Sequence, residues 1–293
     1  MAIELVKLNT AEFERLAKLV YERTGIHLSE SKLTLLSNRL RRRLRVLNLE
    51  GFGDYYDLLR DPKRSEDELP HFLSAVTTNE TYFFRNEALW KYFRGTWLPE
   101  LIRKKTAKKS SAIRIWSAAS SSGEEAYTAA ICLCEDLSNR AKWDVTILGS
   151  DISERVLEKA RSGEYNDYAV SRVPPVTIQK WFTKSNDLYR LKDDVRKLVK
   201  FHFHNLRDAF PQGSFDLIFL RNVLMYFDNE MKKTVLANVT KALAPGGQLV
   251  VGDVDPIRQT PELHQSLTLD YAGPNLYRKP EASKTPSVVA ARG

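Results

Sequence analysis

"AIRIWSAASSSGEEAYTAAICLCEDL", Ala112–Leu137, decides the fold. "AIRIWSAA" reads as a strand and "GEEAYTAAICLCEDL" as a helix, joined by a turn of small residues. A strand that turns directly into a helix is the opening unit of a sheet built with crossover helices. The alternation continues downstream: "WDVTILGSDI" is a strand, "SERVLEKARSG" a helix closing on Gly163, and "VKFHFHNL", "FDLIFLRN" and "GGQLVVGD" are strands. The predicted class is α/β, a doubly wound Rossmann-like sheet over 112–279. Between Glu164 and Leu198, "VPPVTIQKWF" and "LYRLKDDVRKLV" break the order and predict a small inserted subdomain with a helical turn and a short hairpin.

Upstream, residues 1–80 read as a small all-α domain and 81–111 as a linker helix; 280–293 reads as a polar, flexible tail. "AEFERLAKLVYERTG" has helical spacing and ends on Gly25. A second helix runs from about Glu30 to Leu47. At helical spacing, Leu33, Leu36, Leu40, Leu44 and Leu47 fall in one stripe, with Arg41, Arg42 and Arg45 on the opposite side. Those three arginines either dock an acidic partner or form a solvated face.

The 293-residue chain, 43% hydrophobic and 28% charged, has the composition of a soluble protein with two units. It has no membrane-length apolar run and no secretory pattern at its start, so a cytoplasmic protein without membrane insertion is expected. Cys132 and Cys134, the only cysteines, point to different helix faces, which argues against a disulfide or a metal pair. The net charge of +8 is local: residues 1–80 hold 13 basic and 13 acidic side chains, residues 81–110 hold 8 and 2. His202 and His204 alternate onto one strand face without a third ligand, so no metal is expected.

In an open α/β sheet the ligand lies at the carboxyl ends of the strands. The first strand delivers "SAASSSGEE", which permits close backbone approach but is neither G-x-G-x-x-G nor a phosphate loop with its lysine. The second ends in Asp151, a carboxylate for a ribose diol or a cap for the next helix. The next two place Asn205 and Asn222 at the same rim, suited to an amino acid or adenine moiety. A nucleoside, an amino acid and no phosphate grip point to S-adenosylmethionine.

Here a resemblance enters. "TTNETYFFRN", "IWSAASSSGEEAYTAA", "ILGSDIS", "FHNL", "FDLIFLRNVLMYFD" and "LAPGGQLVVG" follow one another as in the chemotaxis receptor methyltransferases, the CheR family. "NRLRRRLRVLNLEGFGDYYDLL" resembles that family's amino-terminal helical domain, so the likeness spans about residues 10–279. It implies cofactor contacts from Asn79, Thr81, Arg85, Glu124, Asp151, Asn205, Leu206, Arg221 and Asn222. Arg85 suits the methionyl carboxylate, Glu124 its ammonium and Asp151 the ribose. In "TTNETYFFR" the aromatic half then anchors the segment on the sheet and the polar half closes over the cofactor.

The reaction implied is methyl transfer to glutamate side chains on chemoreceptor cytoplasmic helices, leaving S-adenosylhomocysteine. A glutamate is already a carboxylate at neutral pH, so no general base is needed. Tyr226 is either a group that orients that carboxylate or a core tyrosine, and Arg41, Arg42 and Arg45 are the candidate substrate-docking face. Two departures stand out. The family's His-Ser-Glu triplet is replaced by Asp253, Val254 and Asp255, and the inserted subdomain looks shorter than in members tethered to a receptor's terminal pentapeptide, so no tether is expected. The triplet keeps open a noncatalytic module that binds cofactor or product. The basic 81–110 segment raises a nucleic-acid methyltransferase, against which Asn222 is followed by Val-Leu-Met rather than Pro-Pro-aromatic.

Overall fold

A computed structural model describes residues 6–210, 213–255, 257 and 260–281. The amino-terminal unit is four helices: α1 Thr10–Thr24, α2 Leu33–Leu47, α3 Phe52–Arg60 and α4 Ser65–Val76. Asn9 and Glu12 form a reciprocal cap at the start of α1, and Gly25, at φ 75°, ends it. Leu36, Leu40 and Leu44 of α2 enter a core with Phe13, Leu16 and Phe72, as their spacing predicts.

α5 Glu87–Tyr92, a π-helical turn at Phe93–Trp97 and α6 Leu98–Ala107 run on without a break. The sequence reads this segment as a linker, yet Trp90, Phe93 and Trp97 are buried on the sheet, with Trp90 5.6 Å from the ring of Phe219. Three large aromatic side chains at helical spacing give it a core role.

The second unit continues with β1 Ala112–Ala118, α7 Glu124–Asp136, β2 Asp144–Asp151 and α8 Glu154–Ser162. The insertion follows: β3 Glu164–Tyr165, α9 Asp167–Val170, α10 Pro175–Trp181, β4 Phe182–Ser185, β5 Leu188–Leu191 and α11 Asp193–Arg196. The chain then returns through β6 Val199–Phe203, β7 Phe215–Leu220, α12 Asn229–Ala242, β8 Leu243–Val251, α13 Pro261–Ser266, β9 Asp270–Gly273 and β10 Leu276–Arg278. The main sheet has the order β6-β2-β1-β7-β8-β10-β9, parallel through β8 and antiparallel beyond it. β7, "FDLIFL", is buried at every position, as a central strand covered on both faces must be. The insertion is a three-stranded antiparallel sheet, β3-β5-β4, one strand more than the expected hairpin.

The two units are bolted together at the carboxyl ends of the strands. Asn205 and Arg207 donate to the Arg23 and Glu22 carbonyls at the end of α1. Ile26 bridges Phe227, and the Ser74 and Ser153 hydroxyls meet at 2.8 Å. Of the tail expected over 280–293, residues 282–293 lie outside the described residues; Glu281 faces Lys104 and Lys108 at 3.9 and 3.5 Å. Among the described residues no helix is long and apolar enough to cross a membrane.

Candidate active site

The chain runs outward from β1 to β2 and β6, then returns to β7 on the other side of β1. This reversal opens a crevice at the strands' carboxyl ends. A cavity of about 360 Å³ lies there, within the roughly 300–1,000 Å³ of small-ligand sites. Sheet loops form its floor, and the amino-terminal unit contributes Ile26, His27, Lys32, Leu35 and Arg39 to its wall.

The loop after β1 turns through positive φ at Ala119, Ser121 and Gly123, bringing Ala119, Ser120 and Ser121 to the wall. At Gly123 a side chain would strike Phe201 and Ala160 at 2.8 and 2.9 Å, so helix and sheet approach only because none is there. Asp151 lines the cavity, 6% exposed, its carboxylate accepting the amides of Ser121 and Ser153 at 2.9 Å. Burial pushes its carboxyl up, and those amides oppose the shift. Ser153, not Asp151, holds the cap position of α8, and the contact to Ser121 reaches across to the β1 loop, so Asp151 ties β2 to that loop.

Residues 77–86 divide less cleanly than expected: Tyr82 lines the cavity with the polar residues, and Phe83 anchors the segment on the strands of the insertion. Phe83 is buried edge-on to Tyr165 and Phe182, at 4.8 and 5.3 Å. Asn79, Thr81 and Arg85 line the cavity. Asn79 is held by its carbonyl, which accepts from Ser121 Oγ at 3.0 Å, and Arg85 donates to the Glu80 carbonyl at 3.0 Å. Phe84, between Phe83 and Arg85, holds φ 56°, a left-handed conformation costly for a bulky residue, with its amide on Thr128 Oγ1.

Leu206, Arg221, Asn222 and Tyr226 also line the cavity, as does Asn205. The Asn205 side-chain amide is committed to the Arg23 carbonyl and the Arg207 amide, so this residue positions the amino-terminal unit as well as facing the cavity.

Glu124 is a correction. It is 1% exposed and absent from the cavity wall; its carboxylate turns to Ser122 Oγ at 2.8–2.9 Å, and burial pushes its carboxyl up to about 7. The carboxylate on the wall is its neighbour, Glu125, held by Ser117 Oγ at 2.7 Å and by the Arg221 guanidinium at 2.8 Å. Adjacent helix positions point about 100° apart, so only one of the pair faces the crevice.

The arginine cluster also divides. Arg42 and Arg45 are exposed, as expected. Arg41 is half-buried, donating to the Val6 carbonyl at 3.0 Å and to Asn38, which makes it a brace for the amino-terminal strand of chain. Arg43 forms a two-pronged pair with Glu68, which also accepts from the Tyr55 hydroxyl. Arg39, to which the sequence assigned no role, lines the cavity and donates to the Val76 carbonyl and Thr78, and burial lowers its pKa. Among the described residues no group of three metal-ligating side chains occurs, and the His204 imidazole, its pKa lowered by burial, stacks edge-on against Trp116 and Phe210.

Asp151, Arg85, Glu125 and the small-residue loop thus line one crevice at the carboxyl ends of the strands, acids and a base together, with no phosphate loop. The fold and the match over residues 79–272 make this an S-adenosylmethionine-dependent methyltransferase. The chain belongs to the CheR family: residues 79–272 match "CheR methyltransferase, SAM binding domain" and residues 11–77 match "CheR methyltransferase, all-alpha domain". It is 34% identical to a chemotaxis protein methyltransferase of Borreliella burgdorferi, over 94% of this chain and 96% of that one. Chemotaxis protein methyltransferase of Escherichia coli is 36% identical over 85% of each, and a probable one of Rhizobium etli 35% identical over 80% and 88%.

Proposed function

We propose that the protein methylates glutamate side chains on the cytoplasmic helices of a chemoreceptor, forming γ-methyl esters. S-adenosylmethionine, when bound, supplies a methyl group made electrophilic by its positive sulfur. The protein's part is to hold two groups in line and keep water out. Asp151 accepts the ribose hydroxyls, Arg85 pairs with the methionyl carboxylate, and Glu125, in place of Glu124, receives the ammonium. Asn79, Thr81, Asn205, Leu206, Arg221 and Asn222 complete the enclosure.

The observation that carries the substrate class is that Arg39 of α2, Lys32 of the turn before it and Tyr226 of the loop after β7 line the same cavity. Cations and a hydroxyl there suit an incoming carboxylate, which needs orientation rather than deprotonation. Arg42 and Arg45, exposed on the same helix, extend this basic character toward an acidic receptor helix. The basic segment that raised nucleic acid is largely paired within the protein: Lys91 with Glu87, Arg94 with Glu135 and Asp136, Lys105 with Asp216.

The test is incubation with methyl-labelled cofactor and receptor-bearing membranes. Alkali-labile label on receptor, released as methanol, is expected. Alkali-stable label on receptor or label on nucleic acid sinks the proposal, and a lack of transfer favours the noncatalytic module.

A further inference from the structure

The triplet Asp253-Val254-Asp255 departs from the family pattern, and its surroundings give it a role. Asp255 is 4% exposed and sits inside the turn that follows β7. Met225 donates its amide to Asp255 Oδ1 at 2.9 Å; burial pushes the carboxyl up, and the amides of Met225, Asn222 and Val223 oppose the shift. Asn222 holds φ 58°, so this turn is a left-handed start wrapped around one buried carboxylate. Gly252 permits the wrapping: a Cβ there would stand 2.7 Å from both the Asn222 nitrogen and Asp255 Oδ2. The turn carries Asn222, Val223, Met225 and Tyr226, all on the cavity wall.

Asp253 acts on a second segment of the cavity lining. Its Oδ2 accepts from Asn86 Nδ2 at 2.9 Å and its Oδ1 from Asn275 Nδ2 at 2.6 Å. Asn86, at φ 68°, caps α5 and directly follows Arg85, whose carbonyl accepts from Trp90 Nε1 at 3.1 Å and from Arg221 Nη2 at 3.4 Å. Two carboxylates from one loop thus fasten two separate segments that line the cavity.

We infer that Asp253 and Asp255 are positioning residues, Asp255 fixing the turn that presents Asn222 and Tyr226, and Asp253 fixing the α5 start that presents Arg85. This deepens the proposed function for Tyr226 but does not depend on it for Arg85. A residue that works through another loses its effect once that other is gone, whereas a general structural role adds to it. The product S-adenosylhomocysteine is the probe for one arm and methyl transfer to receptor membranes for the other.

Asp253→Ala is expected to weaken product affinity about tenfold in calorimetry, but by less than twofold when added to Arg85→Lys. Asp255→Ala is expected to lower kcat about a hundredfold with KM for receptor within threefold, the scale of a reacting group misplaced by about 1 Å. Added to Tyr226→Phe, it should lower kcat by under threefold. Asp255→Asn, which keeps the acceptor for Met225, recovers at least tenfold over the alanine variant. Additive losses in both double variants, or single variants within twofold of wild type, overturn the inference. If the alanine variant at 255 does not fold, the asparagine variant carries the same comparison. If wild type binds product but methylates no receptor glutamate, the substrate reading fails while the Arg85 arm still decides the role of Asp253.

Discussion

The two glutamates at the start of α7 offer the sharpest separation of site from scaffold. Glu124 carries its charge in a nearly water-free place, and its carboxyl moves from an ordinary 4.5 up to about 7. At about 1.36 kcal/mol per pH unit, the ionised form costs folding roughly 3 kcal/mol at pH 8. The native state binds this proton more tightly than the unfolded chain does, so between about pH 4.5 and 7 this group's contribution to stability falls as pH rises. Glu124→Gln keeps the shape and the acceptor for Ser122 while removing the charge. It is expected to raise Tm by about 5–10 °C at pH 8 and to leave it unchanged at pH 5. Its affinity for S-adenosylhomocysteine should stay within twofold, because the side chain does not reach the cavity. Glu125→Gln should weaken that affinity at least tenfold, since it removes a carboxylate from the wall and leaves Arg221, whose side chain is 6% exposed, without its counter-charge. Thermal unfolding at both pH values and calorimetry on both variants form the assay. Loss of affinity in Glu124→Gln with none in Glu125→Gln would refute the assignment, and a pH-independent Tm difference would refute the buried-charge account.

Asp151→Ala removes hydrogen bonds to the ribose worth about 1.5–3 kcal/mol, so affinity should fall at least tenfold in calorimetry; an unchanged value would reduce Asp151 to its contacts with Ser121 and Ser153. Replacing Arg42 and Arg45 with alanine, with Arg41 kept because it braces Val6, should slow methylation at low receptor concentration and flatten its salt dependence without altering product binding. Initial rates at two salt concentrations check this, and equal rates with equal salt slopes would leave those arginines as a solvated face.

What the sequence disclosed follows from how far each signal reaches. Parallel strands covered on both faces are continuous apolar runs, so "FDLIFL" and "WDVTILGSDI" announced the sheet, and Asp151 at the end of one and Arg221 just past the other fell at the crevice. Spacing gave the leucine stripe of α2 for the same local reason. It did not give what stands across from the arginines: Glu68 for Arg43, the Val6 carbonyl for Arg41 and the cavity for Arg39 are meetings between distant segments. Glu124 and Glu125 are chemically identical neighbours, and only the rotation of α7 about its axis separates them. Gly123 was the visible part of that signal, since it starts the helix, but the rotation is set by Tyr127 and Tyr165 packing behind it.

The amino-terminal unit appears from sequence as a separable recognition module, yet it completes the chemical cavity. Its α1 end is capped by Asn205 and Arg207 from the β6 edge, and the chain after α1 pairs with the β7 loop through Ile26 and Phe227 and through His27 and the Tyr226 carbonyl. Arg39 on α2 and Tyr226 on that loop therefore line one cavity, although 187 positions apart in the chain. For a reaction that needs no base, the rate rests on how well the nucleophile and the methyl donor are aligned. In the proposed reaction, alignment depends on the junction between the amino-terminal unit and the sheet that holds the cofactor. The capping bonds at α1 and the carboxylates at 253 and 255 consequently position the groups that act rather than act themselves.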